Sequence, residues 1–207
     1  MKKLILITLS FLFFLGCSTE GDIKIVNRTD HNVYFTIKGV DYILEGSETS
    51  DPHKMVSIDT GKRFLFWGDE SREIDLYLEG ETFMMQSADA SGIPTGIFYT
   101  QTTISVKPNE TTKIFCSPTH ASVKLINNSS QTAIDFSYFT DDNNTLRILN
   151  LSPIYSGETF WTQLKARTAT DSIIYSFVIE FADGSIDSSY AEIEDLFLDE
   201  QLLIELQ

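Results

Sequence analysis

The sequence predicts an all-β protein of two tandem antiparallel β-sandwich domains, and three observations support this. Aromatic residues make up 12% of the chain, and many alternate with Ile, Val and Thr at the period of two that half-buried strands show. Gly and Pro fall between the apolar runs, and long stripes at the helical period are missing. One pattern recurs: apolar, Lys, apolar, apolar, Asn, polar, hydroxyl occupies residues 23–29 and returns at residues 123–129.

Two further pairs of segments indicate a repeat. Residues 61–64 (Gly-Lys-Arg-Phe) are similar to residues 157–160 (Gly-Glu-Thr-Phe). Asn109-Glu110 recurs as Asp199-Glu200 before the last strand of each half. The spacing between the matched positions shrinks along the chain, so we expect shorter loops in the second copy. One large sandwich or barrel is the alternative architecture.

Strands in the first half follow from alternating apolar and polar side chains, with Gly, Pro, Asn or Asp at the breaks. They are predicted at residues 23–27, 33–37, 42–44, 56–58, 64–67, 74–78, 82–85, 97–99, 103–106 and 112–116. Residues 45–53 and 87–96 are rich in polar or small side chains and are predicted loops.

The second half follows the same order. Strands are predicted at residues 123–127, 133–139, 146–151, 173–181, 186–193 and 202–206, with a polar hairpin tip at residues 141–144. The short segment 117–119 is the candidate linker, so we expect domains over residues 23–117 and 120–207. Crossover helices are missing from the pattern, which excludes a parallel α/β fold.

The turn chemistry has a counterpart in a known class of modules. Each half opens with a strand that ends in Asn and a hydroxyl residue, has a Gly turn near its middle and closes with an Asn-Glu or Asp-Glu turn. This resembles the immunoglobulin-like modules of bacterial secreted proteins. The resemblance implies two packed antiparallel sheets in each half.

The first 22 residues have the layout of an export signal. Lys2 and Lys3 form a basic start, and an apolar run over residues 4–15 precedes Gly16-Cys17. The run is too short for a transmembrane helix, which needs about 20 apolar residues. We therefore expect a signal peptide over residues 1–16 and a polar tether over residues 17–22.

Residues 14–17, Phe-Leu-Gly-Cys, resemble the lipobox of bacterial lipoproteins, with Phe14 where that family usually has Leu. The resemblance implies that Cys17 is acylated and becomes the first mature residue. Acyl chains anchor a domain durably, since each buried methylene contributes about 0.8 kcal/mol. Ser18 after the Cys implies the outer membrane of a Gram-negative bacterium, on its periplasmic face or at the cell surface. An ordinary cleaved signal with an incidental Cys is the alternative.

The acidic charge excludes two kinds of partner. The chain has 15 Lys and Arg against 30 Asp and Glu, and removing Lys2 and Lys3 with the leader gives a net charge of −17. Nucleic acids and anionic lipid surfaces both require a basic face. We therefore expect no nucleic-acid partner, and a membrane contact through the lipid on Cys17 alone.

The sequence contains no recognisable catalytic or metal-binding pattern. His31, His53 and His120 are isolated and predicted to lie in surface turns, whereas a zinc site needs three or four converging ligands. There is no Gly-x-Ser-x-Gly elbow, and Cys116 shares a strand face with apolar residues, where it should pack as a small hydrophobe. We expect neither enzymatic activity nor a cofactor or metal.

Acidic residues are too common here for their pairing to indicate catalysis. A glycosidase needs two carboxylates that flank a sugar, and we expect a solvated face instead. Residues 141–144, Asp-Asp-Asn-Asn, offer oxygen ligands for calcium but lack the spacing of a dedicated loop, so a hairpin tip is expected there. The acidic residues near Trp67, for which we expect this solvated face, are Glu70, Glu73, Asp75 and Glu79.

The best indication of a binding edge is the segment 87–96, which the second half lacks. Loops on a rigid sandwich commonly carry function, and exposed aromatic side chains stack on sugars or on partner side chains. Trp161 and Tyr138 are further aromatic candidates, for which core packing is the alternative. The residues assigned to the candidate edge are Trp67, Ser87, Gly92, Gly96 and Tyr99.

Together these observations predict a lipid-anchored, non-enzymatic protein of the cell envelope. It would act as a binding or interaction module whose partner is a protein or a glycan. A structural or accessory subunit of a surface fibre or adhesin is the first alternative. A carbohydrate-active hydrolase is the second, because convergent carboxylates in a cleft cannot be recognised from sequence.

Overall fold

The computed structural model describes residues 20–61, 71–140, 143–150, 152–191, 193–194 and 196–207. Cys17 and the leader, the strand predicted around Trp67, and Asp141 and Asp142 of the predicted hairpin tip lie outside these residues. Every regular element in the described ranges is a β-strand, which confirms the all-β prediction. Within those ranges there is no helix with the length and apolar character needed to span a bilayer.

The first module contains two main sheets and one short additional pair of strands. One sheet has the order β4–β1–β9 and the other β3–β2–β5–β8, while β6 pairs with β7. The strands are β1 (Glu20–Asn27), β2 (Val33–Ile37), β3 (Val40–Leu44), β4 (His53–Asp59), β5 (Arg72–Gly80), β6 (Met85–Ala88), β7 (Pro94–Tyr99), β8 (Gln101–Val106) and β9 (Thr111–Cys116).

The two main sheets of the first module enclose a hydrophobic core. Ile23 and Ile25 of β1 meet Phe35 of β2 and Leu78 of β5 in one cluster of buried side chains. Alternate residues of these strands face outward, as the period of two requires. All neighbours are antiparallel except β1 and β9, which run parallel. The sequence pattern does not specify this parallel pair.

The second module repeats this arrangement. Its sheets have the orders β13–β10–β17 and β12–β11–β14–β15, and β16 also pairs with β14. The parallel pair recurs between β10 and β17. The strands are β10 (Ala121–Asn127), β11 (Ala133–Thr140), β12 (Asn143–Asn150), β13 (Thr159–Leu164), β14 (Ile174–Phe181), β15 (Ile186–Asp187), β16 (Ile193–Glu194) and β17 (Gln201–Leu206).

The second core is separate from the first. Val123 and Leu125 of β10 pack with Phe136 of β11 and Phe177 of β14 in a cluster drawn from residues 121–206. The Phe136 and Phe177 rings stack with their centroids 5.7 Å apart. Two tandem β-sandwiches of the immunoglobulin-like kind, as predicted, are therefore confirmed as the fold.

Both modules fix the end of their first strand with a buried Asn side chain. Asn27 Nδ2 donates to the carbonyls of His31 (2.7 Å) and Leu44 (3.2 Å), and its Oδ1 accepts the Thr29 amide (2.9 Å). Both Asn27 and Thr29 are almost inaccessible to solvent. The side chain therefore satisfies backbone groups at the point where the chain leaves one sheet for the other.

Asn127 repeats this network. Its Nδ2 donates to the carbonyls of Gln131 and Ile154, both at 2.8 Å, and its Oδ1 accepts the Ser129 amide at 3.1 Å. The first predicted match, residues 23–29 with residues 123–129, therefore occupies equivalent strands and makes equivalent hydrogen bonds.

The other two predicted matches have opposite outcomes. Asn109 and Asp199 both have a left-handed backbone (φ 59° and 69°) immediately before the last strand, so this match is confirmed. The match of Gly61 with Gly157 is wrong, and the matched residues 62–64 lie outside the described residues. Gly157 precedes β13, whereas Gly61 follows the equivalent strand β4. Glycine turns at strand ends are common enough to align by chance.

Two further predictions, one of a strand and one of a turn, also need correction. The strand predicted at residues 186–193 is two short strands, β15 and β16, which pair with different parts of β14. Ile186 and Ile193, the apolar residues at its two ends, give the segment the sequence pattern of one continuous strand. His53, predicted in a turn, begins β4 and pairs with Val26.

We expect Asn27→Ala and Asn127→Ala each to destabilise the protein by about 3 kcal/mol, because a buried carbonyl left without its donor costs about 1–3 kcal/mol. Asn128→Ala is the matched control: Asn128 is exposed, so the change should stay within about 0.5 kcal/mol. Urea denaturation measures all three. Equal losses for Asn127→Ala and Asn128→Ala would contradict the role assigned to the buried amide.

Cys116, the free cysteine of the described residues, is fully buried in the first core, as predicted. Burial raises the pKa of its thiol to about 12 from an ordinary value of 9.0. Between these two values the unfolded chain loses a proton that the folded chain keeps, so stability is complete below pH 9 and falls as pH rises towards 12.

The Cys116→Val variant, which lacks the titrating group, should therefore lose less stability than the wild type across this pH range. Urea denaturation at several pH values measures the difference. Parallel pH profiles for the two proteins would show that the thiol does not contribute.

Candidate functional site

The segment 87–96, predicted as a loop, is largely a β-hairpin, so that prediction is wrong. Strands β6 and β7 pair antiparallel, with Met85 opposite Tyr99 and Gln86 opposite Phe98. The hairpin lies between β5 and β8 in the chain, and the second module connects the equivalent strands β14 and β15 through residues 182–185 alone. Ser, Thr, Gly and Pro in the segment conceal the alternation that would have predicted strands.

The hairpin tip is held by its own polar groups. Asp89 Oδ1 accepts the amides of Ser91 (2.8 Å) and Ile93 (2.9 Å), and Gly92 takes φ = 80°, which favours glycine. Ser87 hydrogen-bonds Thr95 across the two strands. Of the predicted edge residues, Ser87 and Gly92 therefore shape the hairpin rather than offer free polar groups.

The same hairpin presents apolar side chains to solvent. Ile93 is 61% exposed and Ile97 64% exposed, and Tyr99 is partly exposed beside them. Gly96, between these strand residues, has φ = 75°. Isolated exposed apolar residues are ordinary, but several on one projecting element indicate an interaction surface. Ile93 and Ile97 were not among the predicted edge residues, although Ile93 is the one large apolar residue of segment 87–96.

A cleft of about 560 Å³ lies where the hairpin meets the second module. Phe98 from β7 contacts the edge of the His120 ring, with the ring centroids 4.5 Å apart. Leu164 and Leu198 add apolar surface, and Lys165 lies beside them. Burial lowers the pKa of His120. The predicted surface-turn position of His120 is therefore wrong, because the hairpin covers that turn.

The first module docks on the outward face of the β13–β10–β17 sheet. The turn after β5 supplies the carbonyls of Gly80 and Phe83, which accept Gln163 Nε2 at 2.7 and 3.1 Å. The Tyr34 and Trp161 rings stack across the junction at 5.5 Å. Trp161 and Gln163 alternate with inward-facing residues of β13. Trp161 is thus a junction residue.

Glu81 is the centre of this junction. Its side chain is 2% exposed, and Oε1 accepts Tyr34 Oη (2.9 Å) and Lys124 Nζ (3.0 Å). Gln201 Nε2 donates to Oε2 at 2.8 Å. Burial, and then the hydrogen bond to Glu81, raise the pKa of Tyr34 to about 12, against the lowering effect of a hydrogen bond with Asn32. One carboxylate therefore holds three side chains from both modules.

Asp199 makes a second set of bonds across the junction. Its Oδ1 accepts the Thr82 hydroxyl and its Oδ2 accepts the Asp30 amide at 2.9 Å. His31 Nε2 lies 2.8 Å from the Asp199 carbonyl. The Thr82 carbonyl also accepts the amide of His120 at 3.0 Å. His31, predicted as a turn residue, is thus part of the junction as well.

The remaining predicted candidates do not converge on a reactive site. Tyr138 packs against the second core, next to Tyr175 and Phe177. Asp75 bonds Thr103 on the solvent side of β5. In the described ranges, no group of three or more His, Cys, Asp or Glu is arranged to hold a metal ion.

Comparison with known proteins gives no family. No family model matches the chain, and no curated protein matches its sequence. The Bacillus anthracis TIE protein is similar with a TM-score of 0.29 and 10% identity, over 91% of this chain and 34% of that one, so this chain spans about a third of its length.

Two other solved structures are similar at the same low level. The Streptococcus pyogenes major pilin T3.2 has a TM-score of 0.27 and 12% identity, over 93% of this chain and 99% of that one. A DUF3823 family protein from Bacteroides ovatus has a TM-score of 0.23 and 8% identity, over 84% of this chain and 97% of that one. Such scores carry no argument about function, and the fold assignment rests on the strands described above.

We expect Lys124→Met to destabilise the protein by about 3 kcal/mol, because it leaves the Glu81 carboxylate buried without its cation. Lys107→Met, at an exposed position, is the control and should change stability by less than about 0.5 kcal/mol. The double variant Glu81→Gln/Lys124→Met should be more stable than Lys124→Met alone. Urea denaturation tests this cycle, and purely additive losses would contradict a coupled pair.

Proposed function

We propose that this chain is a lipid-anchored, non-enzymatic binding module of the bacterial cell envelope, and that the β6–β7 hairpin contacts its partner. The observation that carries the proposal is the pair of exposed side chains Ile93 and Ile97 on an element that the second module lacks. Covering apolar surface is favourable by about 25 cal/mol per Å², so a partner that buries these side chains gains affinity.

The partner we favour is a protein with an apolar surface. The hairpin tip offers aliphatic groups, which suit a protein interface core, whereas sugars are bound mainly by aromatic faces and free polar groups. The polar side chains Ser87 and Asp89 are engaged in bonds within the hairpin. The cleft next to Phe98 has a volume of about 560 Å³ and adds a concave surface that a partner side chain can enter.

The proposed anchor is the acylated Cys17. The first strand begins at Glu20, three residues later, so an acyl group on Cys17 would hold the first module close to the bilayer. With a net charge of −17 after removal of the leader, the protein gains no electrostatic attraction to anionic lipid. The lipid would therefore provide the membrane attachment by itself.

A photo-crosslinking residue at position 97 should give a discrete adduct in intact cells, because Ile97 is exposed on the hairpin. The matched control is position 43, since Ile43 is equally exposed (67%) but lies on edge strand β3. Mass spectrometry of the adduct identifies the partner, and a carbohydrate adduct would favour a glycan instead. Equal labelling at both positions, or none at position 97, would overturn the proposed binding edge.

The same cells test the anchor through Cys17→Ala. This variant should leave the membrane fraction, as followed by fractionation and immunoblotting. Its continued sedimentation with membranes would refute the lipid anchor without bearing on the hairpin.

A further inference from the structure

The junction between the two modules uses a surface that the first module also possesses and leaves uncovered. In the second module, the outward face of β13–β10–β17 receives the first module. The equivalent face of the first module is β4–β1–β9, in which Lys24 pairs with Met55 at the position where Lys124 pairs with Trp161. We infer that this free face binds the second module of another copy of the chain, in a head-to-tail contact that repeats the internal junction.

Apolar side chains are present on both sides of this second contact. Met55 is 50% exposed at the position equivalent to Trp161. On the opposing module a bulge after Ala133 places Ile134, 37% exposed, in the region where the first module has Tyr34. In the proposed contact, Met55 and Ile134 would therefore take the place of the stacked Tyr34 and Trp161 rings of the internal junction.

Charged groups are present at corresponding positions as well. Lys24 takes the place of Lys124. The residue equivalent to Glu81 is Ala182, because the backbone amides of Glu81 and Ala182 donate to the carbonyls of the residues just before β2 and β11, Asn32 and Thr132. The bulge supplies a carboxylate instead. Asp135 Oδ1 is buried and has no hydrogen-bond partner among the described residues. This oxygen is closed to solvent in a single copy, so Lys24 of another copy would pair with the carboxylate through the accessible part of the half-buried Asp135 side chain.

At a third pair of positions, the proposed contact would exchange the donor and acceptor roles found in the internal junction. In the internal junction, Thr82 donates to the Asp199 carboxylate. The equivalent positions hold Asp183 and Asn109, both exposed, so an amide donor would face a carboxylate that already accepts hydrogen bonds from Ser185 and Gln131. Complementarity is retained although both residue types differ.

The symmetry of the contact determines the assembly. Its two surfaces belong to different modules, so the interface is heterologous and each copy keeps one free surface of each kind. Such contacts produce open filaments unless the rotation closes a ring. Because Ala182 replaces Glu81, the contact lacks the buried ion pair of the internal junction. Its orientation should therefore be less strictly selected, and, because it joins separate copies, it should depend on protein concentration.

Cysteine crosslinking in the full-length membrane-bound protein tests this inference. Met55→Cys/Ile134→Cys treated with a short bismaleimide should give a ladder of covalent multimers on a denaturing gel. Each single variant alone should remain monomeric, and co-expression of the two single variants should give dimers without longer products. The native Cys116 is buried and does not compete.

The control pair is Met55→Cys/Ile43→Cys, because Ile43 is exposed but lies outside the proposed contact. An equal ladder from the control pair would show random collision. Dimers from either single variant would indicate a symmetric contact, and the absence of adducts from the double variant would exclude the contact. Each of these results overturns the inference, and none of them bears on the hairpin partner.

Discussion

The whole architecture depends on a buried amide at the end of the first strand of each module. Asn27 and Asn127 satisfy backbone carbonyls at the point where the chain crosses from one sheet to the other. A buried carbonyl without a donor is costly, so the crossing has few alternatives of comparable free energy. Since β1 and β10 are central strands, their position in turn determines the neighbours β4, β9, β13 and β17.

The junction uses the outward face of a sheet that both modules possess, and the side chains on that face differ between the modules. Ser122, Lys124 and Gln201 face outward from strands whose other faces are in the core. The first module covers them, so the buried Glu81 meets a cation and an amide. A buried ion pair contributes little net stability, but a displaced docking would leave a charge unpaired. Its main effect is therefore to select one orientation, which places Phe98 against His120.

Sequence periodicity is sufficient for the fold class, because residues 33–37 and 174–181 show in their sequence the alternation that burial requires. It is insufficient for the hairpin, because residues 87–96 lack the alternation that predicts strands, although Ala88 pairs with Pro94. It is also insufficient for the junction: Lys124 and Gln163 have the sequence pattern of solvent-facing strand residues, and only the tertiary arrangement shows that a second module covers them. His31 and His120 were misassigned to free turns for the same reason.

The differences between the two modules favour the internal junction over the proposed contact with another copy of the chain. Two modules joined by residues 117–120 meet at a high effective concentration, which favours the internal junction over any external one. The ion pair of Glu81 with Lys124 adds a preference that Ala182 cannot reproduce. Two similar sandwiches in one chain thus give one contact that is occupied within the chain and, in the proposed assembly, a second that is available to another copy. The added hairpin places Phe98 against His120 in the internal junction, while its exposed side chains Ile93 and Ile97 would remain accessible to the proposed partner.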